Sequence, residues 1–558
     1  MNSMSETPNN FACPGYSNLY PKQNDKAMSL LKNLPLHGVL QYVIERQAKV
    51  QYSFGDAKGE MDLVYEMACY LDDQAKSHLQ DLIASHPNQY LFSNMSTLKF
   101  IILALQTCDW TISKPLFKSD IEAIYKAYLI CNELWTSEQE KGIAPLVAEK
   151  NLFGMYLMAD VPIIEFKSHK DFRPQIYKAA RLFIFMSTTS PYDSYLKMFL
   201  AKKGAKTWQD YLTILFSFYS STIKTSLVQI NDANAVYRSF FNLLCVDYNE
   251  CVSLWTDQDL RYLRERPLLK MGIEGYYMVL NPNLLIDKLY QGVKFDMFEA
   301  MLEGGAVNKK GRPFTKDDYG IFLSMLGEDF SEKEIFYNVM SKAFSGIADK
   351  VISGTDMDAA KVLAPSDYYV RIGENVFLFE YKDVTLADKI KYSYDYNTTK
   401  DGILDRISKD DGKHRKGVGQ LLFSINEATN NGSLDKLDPE ISKVKTFYPI
   451  VITTDRTFSS LGVECILIDS FTNLCTNWNF PKFVRIPMVL DLDTLFIMSK
   501  CIHDKVVDFP TIIEQYLNRQ DNHIASFDTF YIDEYRNLVQ LQKDDIKFLY
   551  GDILTEIN

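Results

Sequence analysis

One stretch limits the fold of this chain more than any other: Pro365 to Lys382, P-S-D-Y-Y-V-R-I-G-E-N-V-F-L-F-E-Y-K. Two runs rich in β-branched and aromatic residues, Tyr368 to Ile372 and Val376 to Tyr381, flank Gly373-Glu374-Asn375. Strand, tight turn, strand is the pattern of a β-hairpin. With Gly373 and Glu374 as a two-residue loop, Ile372 pairs with Asn375, and counting outward sets Asp367 opposite Glu380. Directly paired residues share a face with Cβ atoms roughly 5 Å apart, so two like charges there repel. A hard divalent cation between them turns the repulsion into binding, because such ions take carboxylate oxygens. Lys382 lies two residues beyond Glu380 and so points to the same face. The expected cluster is two carboxylates and an ammonium.

At 558 residues the chain exceeds what one core usually holds, which predicts two or three domains. The opening MNSMSETPNN has no basic segment leading into an apolar one, so no secretory signal is expected. Apolar runs such as Phe100 to Leu105 are too short to span a bilayer, and no membrane association is expected. Nine scattered cysteines without a C-x-x-C pair argue against a disulfide framework or zinc knuckle and fit a reducing cytoplasm. The seven histidines are dispersed and give a histidine-based metal site no support. A net charge of −12 counts against a general coat for nucleic acid, although a basic surface confined to one cleft is compatible with it.

Residues 1–25 are polar and read as a flexible tail. Residues 26–325 are expected to form a mainly helical domain. Ile121, Ile124, Tyr125, Tyr128 and Leu129 follow helical spacing closely, and Thr136 or Ser137, with Gln139 and Glu140 three residues on, reads as a new helix start. Short strands are expected at Leu268 to Lys270 and Tyr276 to Leu280. Lys309-Lys310-Gly311-Arg312 reads as a polar loop, either a linker or a surface touching phosphate. Phe330 to Phe344 forms an amphipathic helix, with Glu332 and Glu334 in its first turn suited to the helix dipole. Between this helix and Pro365 no clean strand is legible.

From Asp388 to Lys416 the chain is polar and ends in its densest basic cluster, Lys413-His414-Arg415-Lys416. A helix follows, with Val418, Leu421, Leu422, Ile425 and Ala428 on one face and Lys416 and Gln420 one turn apart on the other. Tyr448 to Thr453 reads as a buried strand reached by a helical crossover. Val463 to Ile468 and Arg485 to Leu490 read as two more strands, with a helix after Asp493. Residues 521–558 are expected to form a helical extension.

The run Pro365, Asp367, then Glu380-Tyr381-Lys382 resembles the signature of the PD-(D/E)xK nuclease superfamily, and the likeness is confined to the C-terminal part, residues 326–520. The expected architecture is mixed: an N-terminal all-α helical domain, read from its helical periodicity, and then, as the resemblance implies, an α/β restriction-endonuclease-like domain whose central mixed sheet is flanked by helices in αβββαβ order. It implies Mg²⁺ or Mn²⁺ held by Asp367, Glu380 and the backbone carbonyl of Tyr381, with Lys382 orienting the attacking water. Family members often add an acid on the helix before the sheet, for which Glu334 is the candidate, and a Gln or Lys on the helix after it, which Gln420 matches. Lys413, His414, Arg415 and Lys416 would contact phosphates largely independently of sequence. The implied activity is metal-dependent cleavage of DNA to 5′-phosphate and 3′-hydroxyl ends. A role in bacterial defence against phage or foreign DNA is an analogy at fold level. The alternative is a catalytically inactive nuclease-like scaffold that engages a protein partner, or a second copy, through its helical domain. No Gly-rich phosphate loop supports ATP hydrolysis.

Overall fold

The structure is a computed structural model that describes residues 13–51, 57–86, 91–167, 169–222, 225–230, 235–251, 260–476, 478–519, 523–538 and 543–557. The chain is mixed α/β and divides into two compact units. One comprises residues 1–141, 165–170 and 195–304; the other comprises 142–164, 171–194 and 305–558. No helix among the described residues is long and apolar enough to cross a membrane.

The first unit is helical but not all-α. Helices such as Leu36–Gln51 and Asn94–Thr107 bury aliphatic stripes, and Thr97 links them by donating to Gln47 Oε1 at 2.6 Å. Strands β1 (Leu227–Gln229), β2 (Leu268–Lys270) and β3 (Tyr276–Val279) form an antiparallel sheet in the order β1-β3-β2. β2 and β3 sit where expected; β1, at three residues, is too short for its alternation to register against the helical pattern around it. The tail reading fails for residues 16–20: Tyr16–Leu19 is one helical turn, and Tyr16, Leu19 and Tyr20 are buried. Residues 1–12 lie outside the described residues. Thr136 and Ser137 start no helix. They lie inside Lys118–Ala148, where their hydroxyls donate to carbonyls three and four residues back.

The second unit is built on a six-stranded mixed sheet flanked by helices, ordered β4-β5-β6-β7-β8, with β9 also pairing β7. β4 (Lys350–Ser353), β5 (Tyr368–Ile372) and β6 (Asn375–Lys382) are antiparallel; β7 (Thr446–Thr453), β8 (Phe483–Val484) and β9 (Met488–Asp491) run parallel to β6. β4 fills the place where no strand was legible. It is a four-residue edge strand cut short by the Ser353 capping box of the next helix. The expected strand from Val463 is a helix, Val463–Cys475; of the expected strand Arg485 to Leu490 only Met488 to Leu490 is strand, within β9, and β8 precedes it. Val463, Ile466, Leu467 and Phe471 are buried at helical spacing, and Gly462 before them has φ 82°.

The two sheet faces are packed differently. Val376 and Leu378 of β6, with Tyr369, Val451 and Val489, pack with Leu421, Leu422 and Ile425 of the helix Val418–Asn430. On the opposite face Phe377 and Phe379 meet Phe509 and Phe344, with ring centroids 5.0 and 5.8 Å apart. The helix Val418–Asn430 is the crossover between β6 and parallel β7, and Gly417 opens it at φ 53°. A Cβ at Gly417 would lie 1.9 Å from the carbonyl oxygen of Ile407, which is backbone and cannot swing aside. Gly417→Ala is therefore expected to destabilise the fold by about 2 kcal/mol or more, read as a lower denaturant midpoint.

Candidate functional site

The hairpin register settles where the acids stand. β5 and β6 pair Tyr368 with Phe379 and Ile372 with Asn375, around a loop of Gly373 and Glu374. One step beyond, Asp367 lies across from Glu380. Asp367 Oδ2 accepts the Tyr381 N–H at 2.7 Å, which ties the acid to the next strand. Glu380 is fully buried, and its Oε1 accepts from Lys382 Nζ at 2.5 Å. Its Oε2 has no hydrogen-bond partner among the described residues. The Lys382 side chain keeps 19% of its surface exposed and is the open side of the cluster. The structure thus brings Asp367, Glu380 and Lys382 together.

Burial dominates the electrostatics. It pushes the Asp367 carboxyl up to about 7; Lys382 and the Tyr381 N–H pull the other way, and Glu332 adds to the rise. Asp367 keeps part of its residue surface in water, but its carboxyl is turned inward among these groups. Glu380 is held well above the usual carboxylate range by burial first and by Asp367 second. Burial alone would lower the Lys382 ammonium, yet Glu380 and Asp367 outweigh it and hold it above its ordinary value. One fixed cation faces two acids that resist ionising together.

Of the two glutamates in the preceding helix, Glu332 rather than Glu334 is the one whose charge reaches the cluster. Glu334 turns to Arg181, which donates to its carboxylate at 2.5 Å. Glu332 accepts from Tyr337 Oη, and its charge is felt at Asp367, Glu380 and Lys382. The segment Gly327–Phe336 is π-helical, so its side chains do not follow the 3.6-residue period assumed for it. Ser331 pins it in place by donating to Asp383 at 2.6 Å, and Asp383 also accepts from Thr454 at 2.8 Å. No sequence signal separates the two glutamates, since a π-turn leaves no clear mark in composition.

Gln420 reaches the segment that leads into β5 from the crossover helix, its Nε2 lying 3.4 Å from the Pro365 carbonyl oxygen. The basic cluster just before that helix is laced with acids. Lys413 and His414 are exposed, and their backbone N–H groups donate to Asp411 Oδ1 at 3.0 and 2.7 Å. Arg415 lies over the Phe423 ring at 4.2 Å and pairs with Asp410 at 3.2 Å, while Lys416 sits 3.8 Å from Asp405. Lys309 and Arg312 of the earlier basic loop pair with Asp329 and Asp318.

No protein-family model, no curated protein and no solved structure matches this chain. Among the described residues no group of three or more His, Cys, Asp and Glu is arranged to hold a metal ion. The cluster itself offers two carboxylates, an orphaned Glu380 oxygen among them. That donor set fits Mg²⁺ or Mn²⁺, which take one or two carboxylates and keep water in their remaining positions.

The raised Asp367 value fixes a pH dependence. An unfolded Asp ionises at about 3.9, whereas folded Asp367 keeps its proton to about 7. Across that window the unfolded state binds fewer protons, so stability falls as pH rises, by up to about 1.4 kcal/mol per pH unit. In chelator-treated protein, Asp367→Asn is expected to flatten this fall, as measured by denaturant unfolding between pH 5 and pH 8.

Proposed function

We propose that the second unit is a divalent-metal-dependent nuclease domain that hydrolyses phosphodiester bonds of DNA. The observation that carries the reading is the meeting of Asp367, Glu380 and Lys382 on one sheet face, with a Glu380 oxygen left unpaired in a buried setting. The order helix, three antiparallel strands, crossover helix, parallel strand also agrees with the αβββαβ core of the PD-(D/E)xK superfamily.

Asp367 and Glu380 would hold Mg²⁺ or Mn²⁺, aided by the Tyr381 backbone carbonyl. The ion supplies charge neutralisation at the scissile phosphate and eases deprotonation of the attacking water. Lys382, kept charged by its two acidic neighbours, acts as a donor: it orients that water and meets negative charge growing on the phosphate. Glu332, held by Tyr337, adds negative field on the same side. Gln420 braces the start of β5. Lys413 and Lys416, just before the crossover helix, would contact backbone phosphates, whose contacts carry little sequence information.

Asp367→Ala and Lys382→Ala are each expected to abolish Mn²⁺-dependent cleavage of plasmid and single-stranded DNA, with circular dichroism unchanged. Full cleavage by the purified double variant would overturn the assignment. RNA run in parallel assigns the substrate. Lys413→Ala is expected to weaken DNA binding and reduce the slope of log affinity against log salt by about one.

The complete burial of Glu380 and its capture by Lys382 favour a second reading, a nuclease-like scaffold without catalysis. In that case the wild-type chain cleaves nothing with any divalent ion, and the same assay separates the two.

A further inference from the structure

At the carboxyl ends of three parallel strands the sheet carries buried polar groups left without partners among the described residues. The registers Lys382↔Thr453 and Thr453↔Asp491 set these residues in one row across β6, β7 and β9. Side chains alternate along a strand, so this row shares the face of Glu380, Val451 and Val489 two residues back. Thr453 is wholly buried, and its Oγ1 has no hydrogen-bond partner. Asp491 Oδ1 accepts the Asp493 N–H at 2.7 Å, while its buried Oδ2 is likewise unpartnered. With Glu380 Oε2 these make three orphaned oxygens at one end of the sheet. Such groups are uncommon in folded proteins, and each calls for an explanation.

The contact between Lys382 and Glu380 supplies one. As the cluster stands, the ammonium occupies one of the two oxygens that Glu380 can offer a cation. An ion arriving between Asp367 and Glu380 repels that ammonium, and Lys382 then needs an acceptor on the side away from Asp367. The sheet order β5-β6-β7 places Thr453 there, one strand spacing of ~4.8 Å away. Asp491 follows on the next strand. Lys178, which faces this group from the helix Phe172–Thr188, donates to Asp493 at 2.6 Å. Burial, with Asp493 and Asp528 close by, holds Asp491 well above the usual carboxylate range, a cost that an ammonium drawn to its side reduces.

We propose that Thr453 is a positioning residue for Lys382: when a divalent cation seats on Asp367 and Glu380, the ammonium leaves Glu380 Oε1 and donates to Thr453 Oγ1, with the unpartnered Asp491 Oδ2 one strand further on. This rests on the reading of the cluster as a cation-dependent nuclease site. The exchange frees both Glu380 oxygens and leaves Lys382 charged, beside the cation rather than on its ligand. Thr453 thus decides whether the lysine competes with the cation or cooperates with it.

The test is calorimetric titration of the full chain with Mn²⁺, free of nucleic acid. Thr453→Val keeps the shape and removes the acceptor. It is expected to weaken Mn²⁺ binding about tenfold, the scale of one hydrogen bond to a charged group, while melting no lower than wild type. Thr453→Ser is expected to restore the affinity. In a Lys382→Met background, where no ammonium competes, Thr453→Val is expected to change nothing. An unchanged affinity in Thr453→Val, or an equal loss in the Lys382→Met background, overturns the inference alone. A wild-type chain that binds no Mn²⁺ overturns the nuclease reading and the inference with it.

Discussion

The repulsion between Asp367 and Glu380 is the constraint around which the second unit is arranged. It follows from the turn. Gly373 takes φ 59°, which a side-chain-bearing residue adopts poorly, and its N–H donates to Asp349 at 2.7 Å. A loop of Gly373 and Glu374 then fixes every pair outward from Ile372 and Asn375, the two acids included. A slip of one residue would move Glu380 to the aromatic face beside Phe344 and Phe509, so the same apolar pattern that fixes the hairpin holds the acids together. What remains is to manage two buried carboxyls, and the neighbours do so: Lys382 by charge, the Tyr381 N–H by hydrogen bonding, and the proton by neutralising whichever acid is left over.

That arrangement divides the sheet along its length as well as between its faces. Toward the turn, β6 is apolar on both sides, with Val376 and Leu378 on one and Phe377 and Phe379 on the other. Toward the carboxyl ends of β6, β7 and β9 the same face changes to Glu380, Lys382, Thr453 and Asp491. Parallel strands reached by crossovers present such ends together, and crevices there are where open α/β sheets take ligands. The π-helical segment is fastened at the same end by Ser331 and Asp383, which brings Glu332 to bear on a cluster formed by strands far from it in sequence.

Legibility in the sequence followed the strength of the local pattern. The hairpin was readable because two β-rich runs stand on either side of a turn only a few residues long, leaving one sensible register. β7 was readable because it is apolar on both faces. Val463 to Ile468 misled because its β-branched and aliphatic residues satisfy a strand as readily as a helix; the buried spacing of Val463, Ile466, Leu467 and Phe471 shows the helix only over a longer window. β4 was hidden by its brevity and by the capping box that ends it. Thr136 and Ser137 carried capping chemistry but spent it on carbonyls of their own helix. The three-residue cluster could be placed from the hairpin alone, whereas Glu332 could not be told from Glu334, because the difference lies in a helical period that departs from 3.6.

An acidic chain and a polyanionic substrate are compatible on one physical condition, that the field at the site is local. At physiological salt the Debye length is about 8 Å, so charges spread over distant surfaces contribute little where a phosphate would sit. What counts is the short list of groups around β5, β6 and the start of the crossover helix. Several acids there are already balanced: Asp405 by Lys409 and Lys416, Asp410 by Arg415, and Asp438 by Arg371. The cluster keeps one excess negative charge whenever both Asp367 and Glu380 ionise against Lys382 alone, and Glu332 deepens it. On the proposed reading a divalent cation would cancel that excess where a phosphate would approach, so the net charge of −12 does not by itself argue against nucleic acid.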